Sequence, residues 1–380
     1  MEWKALNHNF RLQGAHLLTA VTLIALVFCA FSSPQAYANK FNTEVSSSAR
    51  ALGMGNAAIN TERGPYSVFY NPANISAKDT GNRIQLVNFQ LDGNAPLVSM
   101  ASSGSIPKIN DLSSLYGDLR NNPDTYVSGR YSVYPNVTLR QFSLGILYEV
   151  NQGAEVRNSD GALRVRARDR FGPIGAVSFR LFKGIFRIGA SAQLLTVGDA
   201  DSLLEPPIAQ SSLDFKNNIN SGSGLVTNAG VTLTLPFRFL PSFSVVARNI
   251  GGTRFTAPPM ISFGSGRDVA PQPMTFDAAA SLTIYLARRL EMKAEIDYRD
   301  YSNKLSGSRF RHVFFGSELI FYDLMKLRTG VAHGYISFGF GIGTPKASLE
   351  LALYSDEKDD RLRGSPDTRY VLQYSWGLFK

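Results

Sequence analysis

The chain has 380 residues, 39 Lys+Arg against 30 Asp+Glu for a formal charge of +9, 44% hydrophobic and 11% aromatic residues, and one Cys. That apolar content excludes a disordered chain, and a lone cysteine excludes a disulfide scaffold or a thiolate zinc site. Past the first segment no stretch stays apolar for about 18 residues, which excludes a bundle of membrane-spanning helices and leaves two ordinary soluble domains or one large all-β unit.

Residues 1–38 read as a secretion leader. Lys4 and Arg11 supply a positive start, Leu17 to Phe31 is an apolar run, and Ala36-Tyr37-Ala38 is an A-x-A cleavage site. Cys29 lies inside the run without the small residues that a lipoprotein signal needs before it. The mature chain is expected to start at Asn39, with 342 residues (380 minus 38), no cysteine and a charge of +8 (37 basic minus 29 acidic). A long secreted chain without disulfides needs another source of stability, and a closed hydrogen-bonded barrel is one.

Residues 39–82 do not alternate like the rest. They contain Ser48-Ala49-Arg50-Ala51-Leu52-Gly53-Met54-Gly55-Asn56-Ala57-Ala58 and Tyr66-Ser67-Val68-Phe69-Tyr70-Asn71-Pro72-Ala73-Asn74. Gly53 and Gly55 let the backbone approach a wall closely, and Pro72 stiffens the exit toward the first strand. Asn71 is expected to bond backbone groups that the Pro72 turn leaves unpaired. Leu52, Met54, Ile59, Val68 and Phe69 argue that the segment is buried. Gly53 to Ala58 matches a loose dinucleotide fingerprint, but no apolar strand precedes it, so nucleotide binding is not expected.

From residue 83 the dominant period is two, as along Met274 to Leu286, Leu290 to Tyr298, Ile336 to Gly343 and Tyr370 to Leu378. Successive strand side chains point to opposite faces, so each segment has one apolar and one polar face. Strands are expected near 83–91, 131–139, 141–151, 163–182, 185–198, 223–235, 241–250, 274–287, 290–301, 309–322, 324–333, 335–343, 346–355 and 368–378. That is fourteen, with short links alternating with long ones except for the tight turn at His333-Gly334. An even number of long strands, with short turns at one rim and long loops at the other, indicates an all-β, 14-stranded antiparallel transmembrane barrel over 83–380. Residues 39–82 then become a candidate plug.

Two charge ladders stand out. Arg164, Arg166, Arg168 and Arg170 share one strand face, and Glu291, Lys293, Glu295, Asp297 and Arg299 share another. Both are expected to face the lumen, the first unless Pro173 introduces a bulge that flips it. The arginine ladder either is solvated above the membrane or attracts an anionic group such as a carboxylate or a lipopolysaccharide phosphate. Arg50 and Arg63 are expected to pair with Glu291, Glu295 and Asp297, and Gly339, Gly341 and Gly343 to leave room for a segment inside. His312 shares the parity of Glu318 and should also face the lumen. With no G-x-S-x-G, no H-E-x-x-H and two histidines past the leader, no enzyme, metal site or cofactor is expected. The arginines lack interleaved aromatics, so nucleic acid is not an expected partner.

The Ala49-Arg50-Ala51-Leu52-Gly53-Met54-Gly55 and Tyr70-Asn71-Pro72-Ala73 stretches, with Arg248-Asn249-Ile250-Gly251-Gly252-Thr253 and Leu327-Arg328-Thr329-Gly330 later, carry a resemblance. The chain resembles the fatty-acid-transporter-like (FadL-like) outer-membrane family, and more closely its PorV/PorQ branch. Two departures are Asn56 and Asn74, where that family has glycine. The resemblance implies a 14-stranded barrel whose N-terminal segment plugs the lumen, in the outer membrane of a Gram-negative bacterium. It implies a plug or gate built on Arg50, Gly53, Met54, Gly55, Asn71, Pro72 and Ala73, and passage of small hydrophobic, fatty-acid-like molecules. Outer-membrane lipids and lipopolysaccharide are the surroundings to expect. The alternative that it implies is a barrel that binds or shuttles exported proteins with a secretion machinery. The first activity requires an apolar pocket between plug and wall, the second a closed lumen and a protein-binding outer surface on loops 199–222 and 251–273.

Overall fold

The computed structural model describes residues 46–77, 82–103, 112–266, 268–304, 308–344, 346–358 and 363–378. The leader, its cleavage site and Asn39 lie outside these residues. Fifteen strand segments come after the N-terminal segment: β1 Arg83–Asn94, β2 Val127–Val133, β3 Asn136–Thr138, β4 Phe142–Val156 and β5 Leu163–Leu181. Then come β6 Phe186–Leu204, β7 Asn220–Thr234, β8 Ser242–Arg248, β9 Thr275–Ala287 and β10 Leu290–Tyr298. The last are β11 Val313–Phe321, β12 Met325–Ala332, β13 Tyr335–Gly343, β14 Ala347–Glu357 and β15 Pro366–Leu378. β2 and β3 both pair with β1 and with β4, so they are halves of one strand, and the fifteen segments make fourteen strands. β15 returns to β1, from Ile84 opposite Leu378 to Asn94 opposite Arg369, and closes an antiparallel barrel without an open edge.

The alternation has the expected sense. On β15, Tyr370, Leu372, Tyr374, Trp376 and Leu378 are exposed, while Arg369, Val371, Gln373 and Ser375 are buried. The same holds for Phe338 against Ser337, and for Leu349, Leu351 and Leu353 against Glu350 and Ala352. The apolar faces point outward and the polar faces inward, inverse to a soluble sandwich and suited to lipid.

The interruption between β2 and β3 falls at Tyr134-Pro135, where proline has no amide to donate to the ladder. Tyr134 still donates its amide to Asn88 at 2.8 Å, and Ile146 donates to the Pro135 carbonyl at 3.1 Å, so the strand stays in the wall. On β5 the sequence left open a bulge at Pro173. Pairing with β6 lapses there, but the register on either side is unchanged: Phe171 faces Thr196 and Ile174 faces Gln193. The arginine ladder therefore keeps the parity of Ile174, Ala176 and Ser178 and turns inward.

The second strand starts at Val127 rather than near 131, and the link before it carries helices Ala95–Ser102 and Leu112–Asn121. Leu112, Leu115 and Leu119 pack on Ala154, Val156, Leu163, Val165 and Phe215 to form a second small core at the long-loop mouth. The spacing of three and four between these leucines is a helical signal inside an expected loop.

Phe338 stands 56% exposed in the outward apolar band. Phe338→Arg is expected to destabilise the barrel by about 2–4 kcal/mol, read as a lower urea midpoint for folding into lipid vesicles. The wild-type protein should show heat-modifiable migration. A variant as stable as the wild type would mean that this face does not meet lipid.

Candidate functional site

Residues 46–77 fill the lumen, and all but Arg50 and Arg63 are buried. A short helix, Ala49–Gly53, starts at Ser48, whose Oγ accepts from the Ala51 amide at 3.1 Å. Helix Ser67–Tyr70 and the 3-10 turn Pro72–Ser76 come next. Asn71 caps the turn, with its Oδ1 accepting from Ala73 at 3.1 Å and Pro72 in the first helical position.

Both N-terminal motifs are seated on bare patches of wall. Gly53 lies against Gly339, where a Cβ on Gly53 would come within 2.7 Å of the Gly339 Cα. Gly55 has φ +61° and presses on the Val331 backbone, while the Met54 backbone lies over Gly316 and Gly330, paired neighbours on β11 and β12. The second motif repeats the device: Pro72 and Ala73 lie over Gly189 and Asn71 over Gly230, again paired neighbours. Asn71 Nδ2 donates to Thr232 Oγ1 at 2.9 Å and to Ser244 Oγ at 3.1 Å, so it bonds wall hydroxyls as well as its own turn. Gly341 and Gly343 do not receive the plug; they leave space for the Glu350 side chain and for Ser348.

The two asparagines that stand where the resembled family has glycine acquire a reason. Asn56 sits at φ +60°, a left-handed conformation that asparagine tolerates, and accepts a bond from the Tyr70 hydroxyl at 2.5 Å. Asn74 Nδ2 donates to the Ile59 carbonyl at 2.8 Å. Each ties one part of the plug to another.

The expected pairing of Arg50 and Arg63 with Glu291, Glu295 and Asp297 is corrected by the geometry. Asp297 accepts from the Ala58 amide at 2.9 Å, and Glu295 accepts from the Asn60 amide at 2.5 Å and from the Thr61 amide at 3.0 Å. These carboxylates hold plug backbone, which has no ladder to satisfy it, in preference to arginines. Arg50 instead forks onto Glu318 at 2.7 and 3.0 Å and reaches Glu62 at 3.1 Å. Burial works against the Arg50 charge, but Glu318 and Glu62 outweigh it and hold the guanidinium above its ordinary pKa. Glu318 also takes Arg328 at 2.7 Å, and Arg328 continues to Glu350. Arg63 bonds the carbonyls of Asn60 and Glu62. Lys293 pairs with Glu291 at 3.3 Å, and Arg299 donates to the Asn56 carbonyl beneath the Phe314 ring.

Two cavities flank the plug. One, of about 130 Å³, opens toward the long-loop mouth among Arg130, Arg166, Arg168, Arg170, Arg369 and Glu149, with Ser47 and Gly55 of the plug below. The arginine ladder lies here, matched by acids on the adjoining strands: Arg164 to Asp201 at 2.9 Å, Arg168 to Asp199 at 3.2 Å and Arg170 to Glu149 at 3.0 Å. Buried His312 follows its expected parity, and His333 lines this cavity 3.5 Å from Asp356. The other cavity, about 40 Å³, has Phe69 of the plug and Leu147, Leu195, Val197, Val226 and Phe255 on its lining, together with polar Gln193, Asn228, Asn249 and Gln272. It belongs to an apolar cluster that Tyr66, Tyr134 and Ile174 complete. Arg170 lines both cavities, and Glu149 stands at the boundary, holding Arg170 on one oxygen and the Ser46 hydroxyl on the other at 2.8 Å. Arg248 closes the apolar side, donating to the Phe69 and Tyr70 carbonyls at 2.5 and 3.0 Å.

The sequence did not mark Glu149, Glu318 or Arg248 as site residues. Lumen parity was the signal for Glu149 and Glu318, and many inward polar residues share it; Arg248 stood in a family-like segment without a role assigned to it.

No protein-family profile and no curated protein matches the sequence. Among solved structures the chain is similar to a TodX monoaromatic hydrocarbon channel mutant, at 11% identity and TM-score 0.51, with 89% of this chain and 100% of that one covered. It also aligns with a Pseudomonas aeruginosa FadL homologue, at 12% identity and TM-score 0.48 over 86% and 97% of the two chains. Outer membrane phospholipase A from Escherichia coli is more distant, at 11% identity and TM-score 0.28 over 78% and 92%. At such identities the first likeness speaks for the fold: a large closed barrel.

Two substitutions separate seat from anchor. Gly330→Val would drive a side chain into the Met54-Gly55 backbone, which has no slack, at a cost of about 1–3 kcal/mol. It is expected to expose the plug to protease while the barrel keeps its heat-modifiable migration. Glu318→Gln removes the carboxylate shared by Arg50 and Arg328 and should cost about 3–5 kcal/mol, read as plug cleavage at lower urea. Protection equal to wild type in both would show that the plug is held elsewhere.

Proposed function

We propose that this barrel lies in the outer membrane of a Gram-negative bacterium and passes small hydrophobic molecules, long-chain fatty-acid-like or hydrocarbon-like, with residues 46–77 as the gate. The carrying observation is an amphipathic cavity inside the lumen, where Phe69, Leu147, Leu195, Val197, Val226 and Phe255 form an apolar surface beside Arg170, Arg248 and amide side chains. A channel for polar solutes gains nothing from apolar side chains on its lumen face, whereas a hydrophobic ligand exchanges water for them at about 25 cal/mol per Å².

The ligand enters the polar vestibule at the long-loop side and meets the Arg170–Glu149–Ser46 partition. Beyond this lies the amphipathic cavity. Its volume of about 40 Å³ is little more than one water's share of liquid, roughly 30 Å³, so passage requires the plug to shift. Gly53, Met54 and Gly55 rest on bare backbone, and this contact is the part that can slide with the fewest side chains rearranged. The ion chain from Arg50 through Glu318 to Glu350 returns the segment to one position. The likeness of the N-terminal motifs to the PorV/PorQ branch stays a reading of the sequence, and the protein-shuttle alternative is not favoured.

Leu195→Glu with Val226→Glu is expected to reduce uptake of a radiolabelled long-chain fatty acid or monoaromatic hydrocarbon at least about tenfold, as burying a carboxylate removes the apolar site. Heat-modifiable migration should persist. Deleting residues 46–60 should raise leakage of small polar solutes. Unchanged uptake in the first variant, or unchanged leakage with lost secretion of other proteins in the second, would overturn the proposal.

A further inference from the structure

The short-turn rim carries a charge pattern that passage through the lumen does not use. Its six turns lie between β3 and β4, β5 and β6, β7 and β8, β9 and β10, β11 and β12, and β13 and β14. Five of them present an exposed cation: Arg140, Lys183, Arg238, the pair Arg288 and Arg289, and Lys346. Among the described residues of these turns the one acid is Asp323. Since consecutive strands neighbour each other around the barrel, the cations form a ring rather than a patch.

None of the six cations forms an ion pair with a described residue. The other rim mixes both signs: Asp118, Asp124, Glu205, Asp214 and Asp268 stand among its cations, Arg157 pairs with Asp160 at 2.7 Å and Arg164 with Asp201. Like charges held in a ring without internal partners repel one another, and the arrangement persists at low cost where an external anion compensates it.

The same turns place Phe182, Phe237, Phe239 and Tyr322 on the outside, and Tyr285 near the end of β9 joins them; all are exposed. Aromatic rings of this kind form the girdle at the membrane interface of such barrels. The Arg289 guanidinium lies over the Tyr322 ring, 5.2 Å from its centre, across to the next turn, and that of Arg238 lies over Phe239 at 5.7 Å. The cations are thus set at headgroup level, not out in solvent. In barrels of this type short turns face the periplasm, where the leaflet consists of phospholipid.

We propose that the ring Arg140, Lys183, Arg238, Arg288, Arg289 and Lys346 binds anionic phospholipid headgroups of the periplasmic leaflet, with the phosphodiester on the cations and the acyl chains against the aromatic girdle. Arginine accepts a phosphate bidentately and stacks on the neighbouring ring at the same time, which suits Arg238 and Arg289 to the role. Lipid binding at this rim is independent of what passes through the lumen.

The test uses the full-length protein in detergent, exchanged into mixed micelles or nanodiscs containing phosphatidylglycerol and phosphatidylethanolamine, with retained lipid counted by native mass spectrometry. Wild type is expected to retain phosphatidylglycerol preferentially, and the preference should fall as salt rises. The variant Lys183→Gln, Arg238→Gln, Arg288→Gln, Arg289→Gln alters exposed turn residues and should keep its heat-modifiable migration. Its preference is expected to drop about fivefold or more, given the attraction of each basic side chain to an anionic surface. The salt series on wild type alone decides the matter if that variant folds poorly. Equal retention of both lipids by wild type, a salt-independent preference, or a folded variant with undiminished preference would each overturn the proposal. The last would instead assign the cations to a soluble acidic partner in the periplasm.

Discussion

The need to satisfy backbone amides inside a lumen governs this structure. The wall solves it by closure, because every strand has two neighbours. The plug has no ladder, and its amides at Ala58, Ile59, Asn60 and Thr61 would be orphaned without an acceptor. Two carboxylates on β10, Glu295 and Asp297, provide it. Acids are tolerated on this strand face because it looks into the lumen, and the opposite face, with Ile296, meets lipid.

From that constraint the remaining charges follow. Glu295 and Asp297 are engaged by plug backbone, and Arg50 pairs with Glu318 and Glu62, while Arg328 spans Glu318 and Glu350. The arginine ladder on β5 obeys the same rule with Glu149, Asp199 and Asp201 on its neighbours. Much of the interior charge is matched locally, while the six cations of the short-turn rim form no ion pair with a described residue.

Packing adds a second rule: where plug backbone crosses wall backbone, the wall residue lacks a Cβ. Gly316, Gly330 and Gly339 receive Gly53 to Gly55, Gly189 receives Pro72 and Ala73, and the neighbouring Gly230 makes room for the Asn71 side chain. Backbone contact of this kind is close, and side-chain bonds such as Arg50 to Glu318 and Asn71 to Thr232 and Ser244 fix its position. Side-chain bonds from Asn56, Asn71 and Asn74 tie the parts of the plug to one another.

Alternation is local and bears directly on which face of a strand meets lipid, so the fourteen strands and the inward sense of the ladders were legible along the chain. Proline and glycine signalled the plug for the same reason, since they restrict or free the backbone wherever they occur. Helix Leu112–Asn121 was legible in its leucine spacing, though strand counting hid it. Which acid meets which arginine was not legible, because strand parity gives the direction of a side chain and not its height or its partner. Glu149, Glu295 and Glu318 all point inward. Only the path of the plug through the lumen decides that one holds Ser46 and Arg170, one holds backbone amides and one holds Arg50. The amphipathic cavity is likewise tertiary: Leu147, Leu195, Val226 and Phe69 come from distant parts of the chain, and they meet because the barrel closes around its own N-terminal segment.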